Sequence, residues 1–282
     1  MRMTRWSAIA LAFAIAFTGL PAMTAHADAH EDEWPMAVQT YTYRNFTLFE
    51  TIDMVSDLGL KYIEAYGGQQ LGGGLDGSFG HGIGEAERTA LKAKLYDAGV
   101  RLIAYGVVGL SPDEDSTRAI FEFADDMGIE IITANPDPDS FDLLEELVEE
   151  YGIKVAIHNH GPGARYAVVQ DTLEAVEGRH AYIGACVDSG HVIRVEEAPN
   201  DVIRALGDRV HSLHLKDWEF GGPETIVGEG DMDLVDSAAA LHEVGFTGPI
   251  MIEYELDADD PTDGVAEGVA NWRAAVQEAL NN

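Results

Sequence analysis

The sequence predicts an α/β protein that forms a single-domain (β/α)8 TIM barrel. Three observations support this fold class. Short apolar runs alternate eight times with amphipathic stretches, most of the runs are rich in Val, Ile or Tyr, and no Pro-rich or Ser-rich linker divides the chain. Eight β-then-α units in about 250 residues are typical of one closed parallel barrel.

The eight predicted strands are short apolar runs bounded by charged or turn-forming residues. Their length and their β-branched content favour buried strands over helices. They span residues 37–43, 62–66, 102–108, 129–134, 154–159, 182–188, 210–216 and 250–254.

A predicted helix follows each strand. In the fourth helix, Leu143, Leu144 and Leu147 recur at helical spacing, and Ser140 is its N-cap candidate. Several helices run into a glycine before the next strand, as in Ala98-Gly99, because glycine adopts the left-handed conformation at low cost. The predicted helices span residues 49–58, 85–98, 116–127, 140–150, 168–176, 199–206, 233–244 and 265–280.

An open, doubly wound sheet is the alternative fold. That fold would place a G-x-G-x-x-G turn after the first strand, which here ends in Thr42-Tyr43-Arg44-Asn45-Phe46 without a glycine. A glycine-rich segment, 67–84, follows the second strand instead and lacks Gly-Lys-Ser/Thr. We interpret it as a long, mobile βα loop at the catalytic face of the barrel.

The charge of the chain excludes several classes of partner. With 17 Lys and Arg against 50 Asp and Glu, the formal net charge is −33. Nucleic-acid binding needs an excess of basic residues, and an anionic membrane surface would repel the chain. The single cysteine, Cys186, excludes an intrachain disulfide and a cysteine-based zinc site.

The first 27 residues have the pattern of a signal peptide. Arg2 and Arg5 precede an apolar stretch over 6–20, and Ala25-His26-Ala27 fits the small-residue cleavage pattern. We therefore expect residues 1–27 to be removed and residues 28–282 to form the barrel in a periplasmic or secreted protein, with no membrane partner after cleavage. The sequence leaves open whether the protein forms a homo-oligomer.

Polar residues at four consecutive strand ends indicate a metal site. In a (β/α)8 barrel the active site forms where the carboxyl ends of the strands meet. His158, Asp188, His214 and Glu253 stand at the ends of the last four predicted strands. Two imidazoles and two carboxylates suit a divalent Mn, Co, Zn, Fe or Mg ion and leave positions for water or substrate oxygens.

A second set of polar residues lies next to these predicted ligands. By the two-residue period of a strand, Lys216, His160 and Glu255 lie on the faces of His214, His158 and Glu253. We expect Glu253, Lys216, His160 and His191 to be catalytic and Glu64 and Glu255 to bind substrate. A lysine or histidine there can be tuned toward a neutral pKa, although Lys216 can instead form a salt bridge with Asp217 or Glu219.

At these residues the sequence resembles the xylose isomerase-like TIM barrel superfamily, which includes sugar isomerases and epimerases, inosose dehydratases and endonuclease IV relatives. The resemblance covers essentially the whole predicted mature chain. It rests on His-Asn-His-Gly-Pro-Gly at 158–163, Asp-Ser-Gly-His at 188–191, His-Leu-Lys-Asp at 214–217, Gly-Glu-Gly-Asp at 228–231 and Ile-Glu-Tyr-Glu at 252–255.

The resemblance implies metal ligands at His158, Asp188, His214 and Glu253, with His191 near the substrate. In the keto-sugar epimerases of this superfamily, glutamates from strands five and eight hold the metal and move the proton. Here strand five carries His158, so only Glu253 matches that pair. The endonuclease relatives use three metals and further histidines, which this acidic chain lacks.

Together these observations predict an exported, divalent-metal-dependent isomerase or epimerase. It would act on a free sugar or keto-sugar by proton transfer. Two alternatives stay open: a metal-dependent lyase or dehydratase acting on a keto-sugar or 3-keto-glycoside, and a non-catalytic barrel that binds a sugar or a metal.

Overall fold

The computed structural model describes residues 34–281, and within them eight parallel strands close into a barrel with helices between successive strands. The (β/α)8 TIM barrel predicted from the sequence is therefore confirmed. The predicted signal peptide, residues 1–27, lies outside the described residues. Every helix in the described part of the chain is too short or too polar to cross a membrane.

The barrel strands coincide with the eight predicted apolar runs, with shifts of a few residues at their ends. In barrel order they are β1 (Met36–Gln39), β2 (Tyr62–Ala65), β5 (Arg101–Leu110), β6 (Ile131–Pro136), β7 (Lys154–His158), β8 (Ile183–Asp188), β9 (Val210–Leu215) and β12 (Ile250–Ile252), and β12 pairs with β1 to close the barrel.

Two short antiparallel hairpins lie outside the closed barrel sheet. The first joins β3 (Gln70–Gly72) to β4 (Leu75–Ser78), and the second joins β10 (Asp217–Trp218) to β11 (Glu224–Thr225). Because the hairpins follow β2 and β9, both extend from the carboxyl ends of barrel strands. The glycine-rich segment 67–84, expected to be a long loop, thus contains an antiparallel hairpin.

All eight predicted helices are present, and a short additional helix follows β8. The α-helices of residues 34–281 are α1 (Leu48–Asp57), α2 (Glu85–Ala98), α3 (Glu114–Met127), α4 (Phe141–Tyr151), α5 (Val169–Val176), α6 (Ser189–Arg194), α7 (Pro199–Leu206), α8 (Leu234–Glu243) and α9 (Thr262–Asn281).

Local hydrogen bonds shift some boundaries from their predicted positions. The first strand ends at Gln39 because its side-chain oxygen accepts the backbone N–H of Tyr41, at 2.9 Å, and starts a 3-10 turn. Helix α3 starts earlier than expected because Asp113 caps it by accepting the backbone N–H of Ser116. Ser140 does not cap α4; its hydroxyl donates to the Asp137 carbonyl.

The interior of the barrel is packed with apolar side chains of mixed size. Ala37, Ala104, Ala156 and Cys186 are completely buried and form one cluster with the larger Ile103, Ile131 and Met251. The main hydrophobic core lies outside this cluster, between the strands and the surrounding helices. Filling the interior with apolar atoms leaves polar chemistry to the carboxyl-end rim of the barrel. Cys186 is thus a packing residue.

Gly184 on β8 provides a test of how closely β8 and β9 pack. A Cβ atom at Gly184 would lie 2.6 Å from the imidazole Nε2 of His211 and still closer to the backbone of Arg209. We expect Gly184→Ala to lower the free energy of unfolding by about 1–3 kcal/mol, because backbone cannot move aside. Urea unfolding measures this change.

Gly109 on β5 is the matched control for that substitution. A Cβ atom there would meet nothing within 4 Å. Gly109→Ala should therefore leave the free energy of unfolding within about 1 kcal/mol of the wild type. Equal effects of the two substitutions would contradict the close packing at Gly184.

His211 predicts an acid-dependent loss of stability. Burial, aided by Lys154, lowers the pKa of His211 to about 4, and its Nε2 donates to the Ala181 carbonyl at 3.1 Å. Because the unfolded chain takes up this proton near pH 6.5, stability from the neutral imidazole is present above that pH. It is lost as the pH falls toward 4, by at most about 3 kcal/mol.

Unfolding midpoints measured from pH 7 to pH 4 test this expectation. His211→Gln, which keeps a donor for the Ala181 carbonyl, should flatten the decline relative to the wild type. His242→Gln, at an exposed position on α8, is the control and should leave the slope unchanged. An unaltered slope in the His211 variant would show that other groups govern the acid sensitivity.

Candidate active site and metal centre

Four buried side chains converge at the carboxyl-end rim of the barrel. His158 ends β7, Asp188 ends β8, His214 lies in β9, and Glu253 follows β12. One potential ligand atom from each lies within 4.8 Å of every other. The closed sheet produces this convergence, because neighbouring parallel strands place their carboxyl ends side by side.

Asp188 divides its two carboxylate oxygens between the fold and the cluster. Oδ1 accepts the backbone N–H of His191 at 2.8 Å and so caps helix α6. Oδ2 is completely buried, lies 3.4 Å from His158 Nε2, and has no hydrogen-bond partner among the described residues. His191 therefore lies in the helix that this cap begins.

Asn159 holds Asp188 in position. Its side-chain oxygen accepts the backbone N–H of Asp188 at 2.7 Å, and its amide nitrogen donates to the Asp188 carbonyl at 3.1 Å. This paired contact joins the ends of β7 and β8. Asn159, which lies between His158 and His160, therefore fixes the backbone of the predicted ligand Asp188.

Glu64 sets the protonation of the His214 ring. The Glu64 carboxylate is completely buried and lies 2.9 Å from His214 Nε2, which must donate the hydrogen. In the neutral ring, His214 Nδ1 then presents a lone pair. It lies 3.3 Å from Glu253 Oε2 and has no hydrogen-bond partner among residues 34–281. Glu64 thus supports a predicted ligand, and its expected contact with substrate stays a prediction.

The donor set fits a divalent cation. Asp188 Oδ2 and His214 Nδ1 are buried and unpartnered, and they lie together with His158 and Glu253. Two imidazole nitrogens and two carboxylate oxygens suit transition metals such as Zn, Mn, Co or Fe better than Mg. A carboxylate behind a metal-binding imidazole is the usual means of fixing its tautomer and orientation.

Lys216 is buried against two carboxylates. Its ammonium lies 3.6 Å from Glu253 Oε2 and donates a hydrogen bond to Glu255. Burial disfavours the charge, but Glu253, Asp188 and Glu255 outweigh it and raise the pKa of Lys216 above its ordinary value. The expectation of a lysine tuned toward neutral pKa is therefore wrong, and its ion-pair partners are neither Asp217 nor Glu219.

Asp217 instead organises the segment after the second hairpin. Its carboxylate accepts backbone N–H groups from Gly228, Gly230 and Met232, at 2.9 to 3.0 Å. Glycine at 230 is required because a Cβ atom there would meet the Asp217 carboxylate. The Gly-Glu-Gly-Asp motif at 228–231 therefore wraps around this carboxylate at the rim.

Two further histidines stack beside the cluster. The rings of His160 and His191 lie 4.0 Å apart, and His191 Nε2 is 3.9 Å from Asp188 Oδ2. Burial lowers the pKa of His191 to about 4 and also lowers the pKa of His160. Arg194 donates to His191 Nδ1 at 2.9 Å, so a neutral His191 carries its hydrogen on Nε2.

Ser189 also has a structural role. Its hydroxyl donates to the backbone carbonyl of Lys216 at 2.6 Å and accepts the Lys216 N–H at 2.9 Å. It ties the start of α6 to the end of β9, and it is completely buried. The Asp188-Ser189-Gly190-His191 motif is therefore no nucleophile arrangement.

Sequence reasoning missed Glu224. This residue of the second hairpin is buried, and its carboxylate accepts the backbone N–H of Glu255 at 2.8 Å. Burial raises its pKa to about 7, with the nearby Lys216 opposing the rise. Its only sequence signal is a position in the turn segment Gly221-Gly222-Pro223-Glu224, which says nothing about its contact with the eighth barrel strand.

Comparisons with known proteins agree with the barrel fold. The family model for the xylose isomerase-like TIM barrel matches residues 52–275. A search of curated protein sequences finds no match.

Three solved structures illustrate the structural similarity. An uncharacterized protein from Parabacteroides distasonis is 29% identical, with a TM-score of 0.70 over 87% of this chain and 99% of its own. An IolI protein with a bound zinc atom is 17% identical, with a TM-score of 0.65 over 88% and 98% of the two chains. A sugar phosphate isomerase/epimerase from P. distasonis is 16% identical, with a TM-score of 0.64 over 91% and 100%.

The contact between Glu64 and His214 predicts a loss of metal affinity on substitution. Glu64→Gln keeps the shape of the side chain but removes the charge that holds the Nε2–H tautomer of His214. We expect the protein to bind Zn²⁺ or Mn²⁺ about 10–100-fold more weakly, as measured by competition with a chromophoric chelator.

Glu229→Gln is the control. Glu229 is exposed in the Gly-Glu-Gly-Asp motif at 228–231, and this variant should bind the metal like the wild type. Undiminished affinity in the Glu64 variant, with the fold intact by circular dichroism, would remove Glu64 from the metal centre.

Proposed function

This chain belongs to the xylose isomerase-like TIM barrel family, and on that premise we propose that it is an exported, divalent-metal-dependent isomerase or epimerase. It acts on a free sugar or keto-sugar by proton transfer. The observation that carries the proposal is the convergence of two unpartnered buried ligand atoms, Asp188 Oδ2 and His214 Nδ1, beside the buried ammonium of Lys216.

His158, Asp188, His214 and Glu253 are the residues that would hold the cation. When bound, a divalent cation supplies Lewis acidity toward adjacent hydroxyl and carbonyl oxygens of a sugar. The zinc of the IolI structure supports a metal in this type of barrel.

Lys216 stabilises negative charge on the substrate. Its raised pKa keeps the ammonium charged at neutral pH, and Glu253 and Glu255 hold it at the rim. A fixed cation beside the site favours an oxygen that becomes anionic as a proton leaves the neighbouring carbon. Lys216 therefore acts as an electrostatic group and as a proton donor to oxygen, and not as the base.

Glu253 and His160 are the proposed proton-transfer groups. The carboxylate of Glu253 stays ionised because Lys216 and His214 outweigh its burial and lower its pKa. The His160 ring makes no hydrogen bond to the described residues and is exposed at the rim beside His191. His191 is less suited to be a base because its Nδ1 accepts from Arg194.

Export and the substrate class rest on separate arguments. The signal-peptide pattern of residues 1–27 supports a periplasmic or secreted location. A sugar phosphate isomerase/epimerase among the structural neighbours supports a substrate with a sugar skeleton.

A lyase or dehydratase is the second candidate. It is favoured by His158, a histidine at the position where the resemblance to keto-sugar epimerases calls for a glutamate. With one carboxylate base instead of two, loss of a β-leaving group after proton removal competes with return of the proton to carbon.

Proton exchange in D2O tests the proposal directly. The metal-saturated wild type should incorporate deuterium into a ketohexose or 3-keto sugar from a broad panel, followed by NMR. Glu253→Gln should lower the exchange rate by about 10²–10⁴-fold at metal concentrations that saturate both proteins. Glu229→Gln is the matched control and should exchange at the wild-type rate.

The products separate the candidates. An isomer or epimer with a new C–D bond supports the proposed function, whereas an unsaturated product supports the lyase. A wild type that binds metal and sugar but exchanges no proton with any sugar of the panel would point to a non-catalytic barrel.

A further inference from the structure

Arg194 is the last residue of α6 and lies at the rim next to the predicted ligands. Its Nη1 donates to His191 Nδ1 at 2.9 Å, and its guanidinium carbon lies 5.1 Å from the centroid of the Trp218 ring. Gly161 also lies against it, since a Cβ atom at 161 would come within 2.9 Å of the guanidinium carbon. The guanidinium is thus held by an imidazole, an indole and a stretch of backbone.

Eight other arginines within residues 34–281 are bonded to oxygens of the protein. Arg44 and Arg209 donate to backbone carbonyls. The arginines paired with carboxylates are Arg88, Arg101, Arg118, Arg165, Arg179 and Arg204.

Arg194 differs because its contacts leave most of its donors unused. A guanidinium has five N–H donors, and within residues 34–281 one nitrogen of Arg194, Nη1, donates a hydrogen bond. No described carboxylate forms an ion pair with it. In a chain with 50 acidic and 17 basic residues, a guanidinium exposed at the rim without an acidic partner is unusual.

We propose that Arg194 binds an anionic group of the sugar substrate, a carboxylate or a phosphate. This inference rests on the proposed function and replaces its free sugar or keto-sugar by a sugar that carries a carboxylate or a phosphate. The planar fork of a guanidinium matches the paired oxygens of both groups. Its Nε hydrogen, both Nη2 hydrogens and the second Nη1 hydrogen remain for such a contact.

The position of Arg194 relative to the predicted ligands fits a single sugar. One imidazole ring, that of His191, separates its guanidinium from Asp188 Oδ2. A monosaccharide with its reacting carbons at the cluster extends its far end along the rim over this ring. The acidic group then meets Arg194, while the Trp218 ring offers an apolar face beside it.

The arrangement also orients the guanidinium before substrate arrives. The hydrogen bond to His191 and the contacts with Trp218 and Gly161 restrict its rotamers, which lowers the entropic cost of binding an anion. Binding the anion at this point also keeps the hydrogen of a neutral His191 on Nε2, toward the site.

Binding measurements on the metal-loaded protein test this inference without requiring turnover. Isothermal titration compares hexoses, their uronates, their neutral uronate methyl esters and their 6-phosphates, each in the gluco, galacto and manno series. The wild type should bind a uronate or a 6-phosphate at least tenfold more tightly than the hexose and ester of the same series. The uronate and phosphate arms identify which anion is preferred.

Three variants assign the preference to Arg194. Arg194→Gln should abolish the preference while leaving hexose binding and metal affinity unchanged, and Arg194→Lys should restore part of it. Gly161→Ala, which keeps the charge but displaces the guanidinium, should also weaken acidic-sugar binding. Arg165→Gln, at another arginine of the rim whose guanidinium is paired with Asp137, is the matched control and should keep the preference.

The outcomes separate this inference from the proposed function. Equal binding of acidic and neutral sugars by the wild type, or an equal loss for both in Arg194→Gln, would overturn the role of Arg194. Proton exchange on neutral sugars would then still support the proposed function. Conversely, an Arg194-dependent preference in a protein that exchanges no proton would support the acidic-sugar site and reject the isomerase.

Discussion

The burial of carboxylates at the barrel rim is the constraint on which the rest of the site depends. Glu64 and Asp188 are completely buried and Glu253 nearly so. Buried charges persist only when they are paired, hydrogen-bonded or bound to a cation. The His214 ring, the cap of α6 and the ammonium of Lys216 supply part of that compensation. The atoms left over, Asp188 Oδ2 and His214 Nδ1, point at one place, so the folded chain itself defines where a cation would complete the charge balance.

Much of the fold could be predicted because local signals and tertiary structure agree. The apolar runs became barrel strands because closing the sheet buries both faces of each strand, and the glycines after α2, α3 and α4 adopt the left-handed conformation expected from their positions. The errors occur where a side chain redirects the backbone. Gln39 ends β1 early through its own amide, and the glycine-rich segment 67–84 pairs with itself as a hairpin.

The position of the candidate site could be predicted from the sequence, but the contacts between its side chains could not. Strand-end residues such as His158 and His214 could be grouped from the sequence, because a closed parallel barrel brings consecutive strand ends together. The contact between Glu64 and His214 joins residues 150 positions apart across the barrel interior, and the period of a strand does not show which partner a buried carboxylate meets. Glu224 and Arg194 were missed for a related reason: their roles depend on a hairpin and a short helix folding back over the rim.

The acidity of the chain and the chemistry of the rim can be understood together. Fifty acidic residues repel an anionic ligand at long range, but salt screens exposed charges beyond about 10 Å. Within that distance the fields of individual rim residues decide which ligand binds. Lys216 is already neutralised by Glu253 and Glu255, whereas Arg194 has no such partner among residues 34–281. An acidic sugar would therefore meet its positive contact at the far end of the site, which leaves the ammonium of Lys216 free to act where the proton moves.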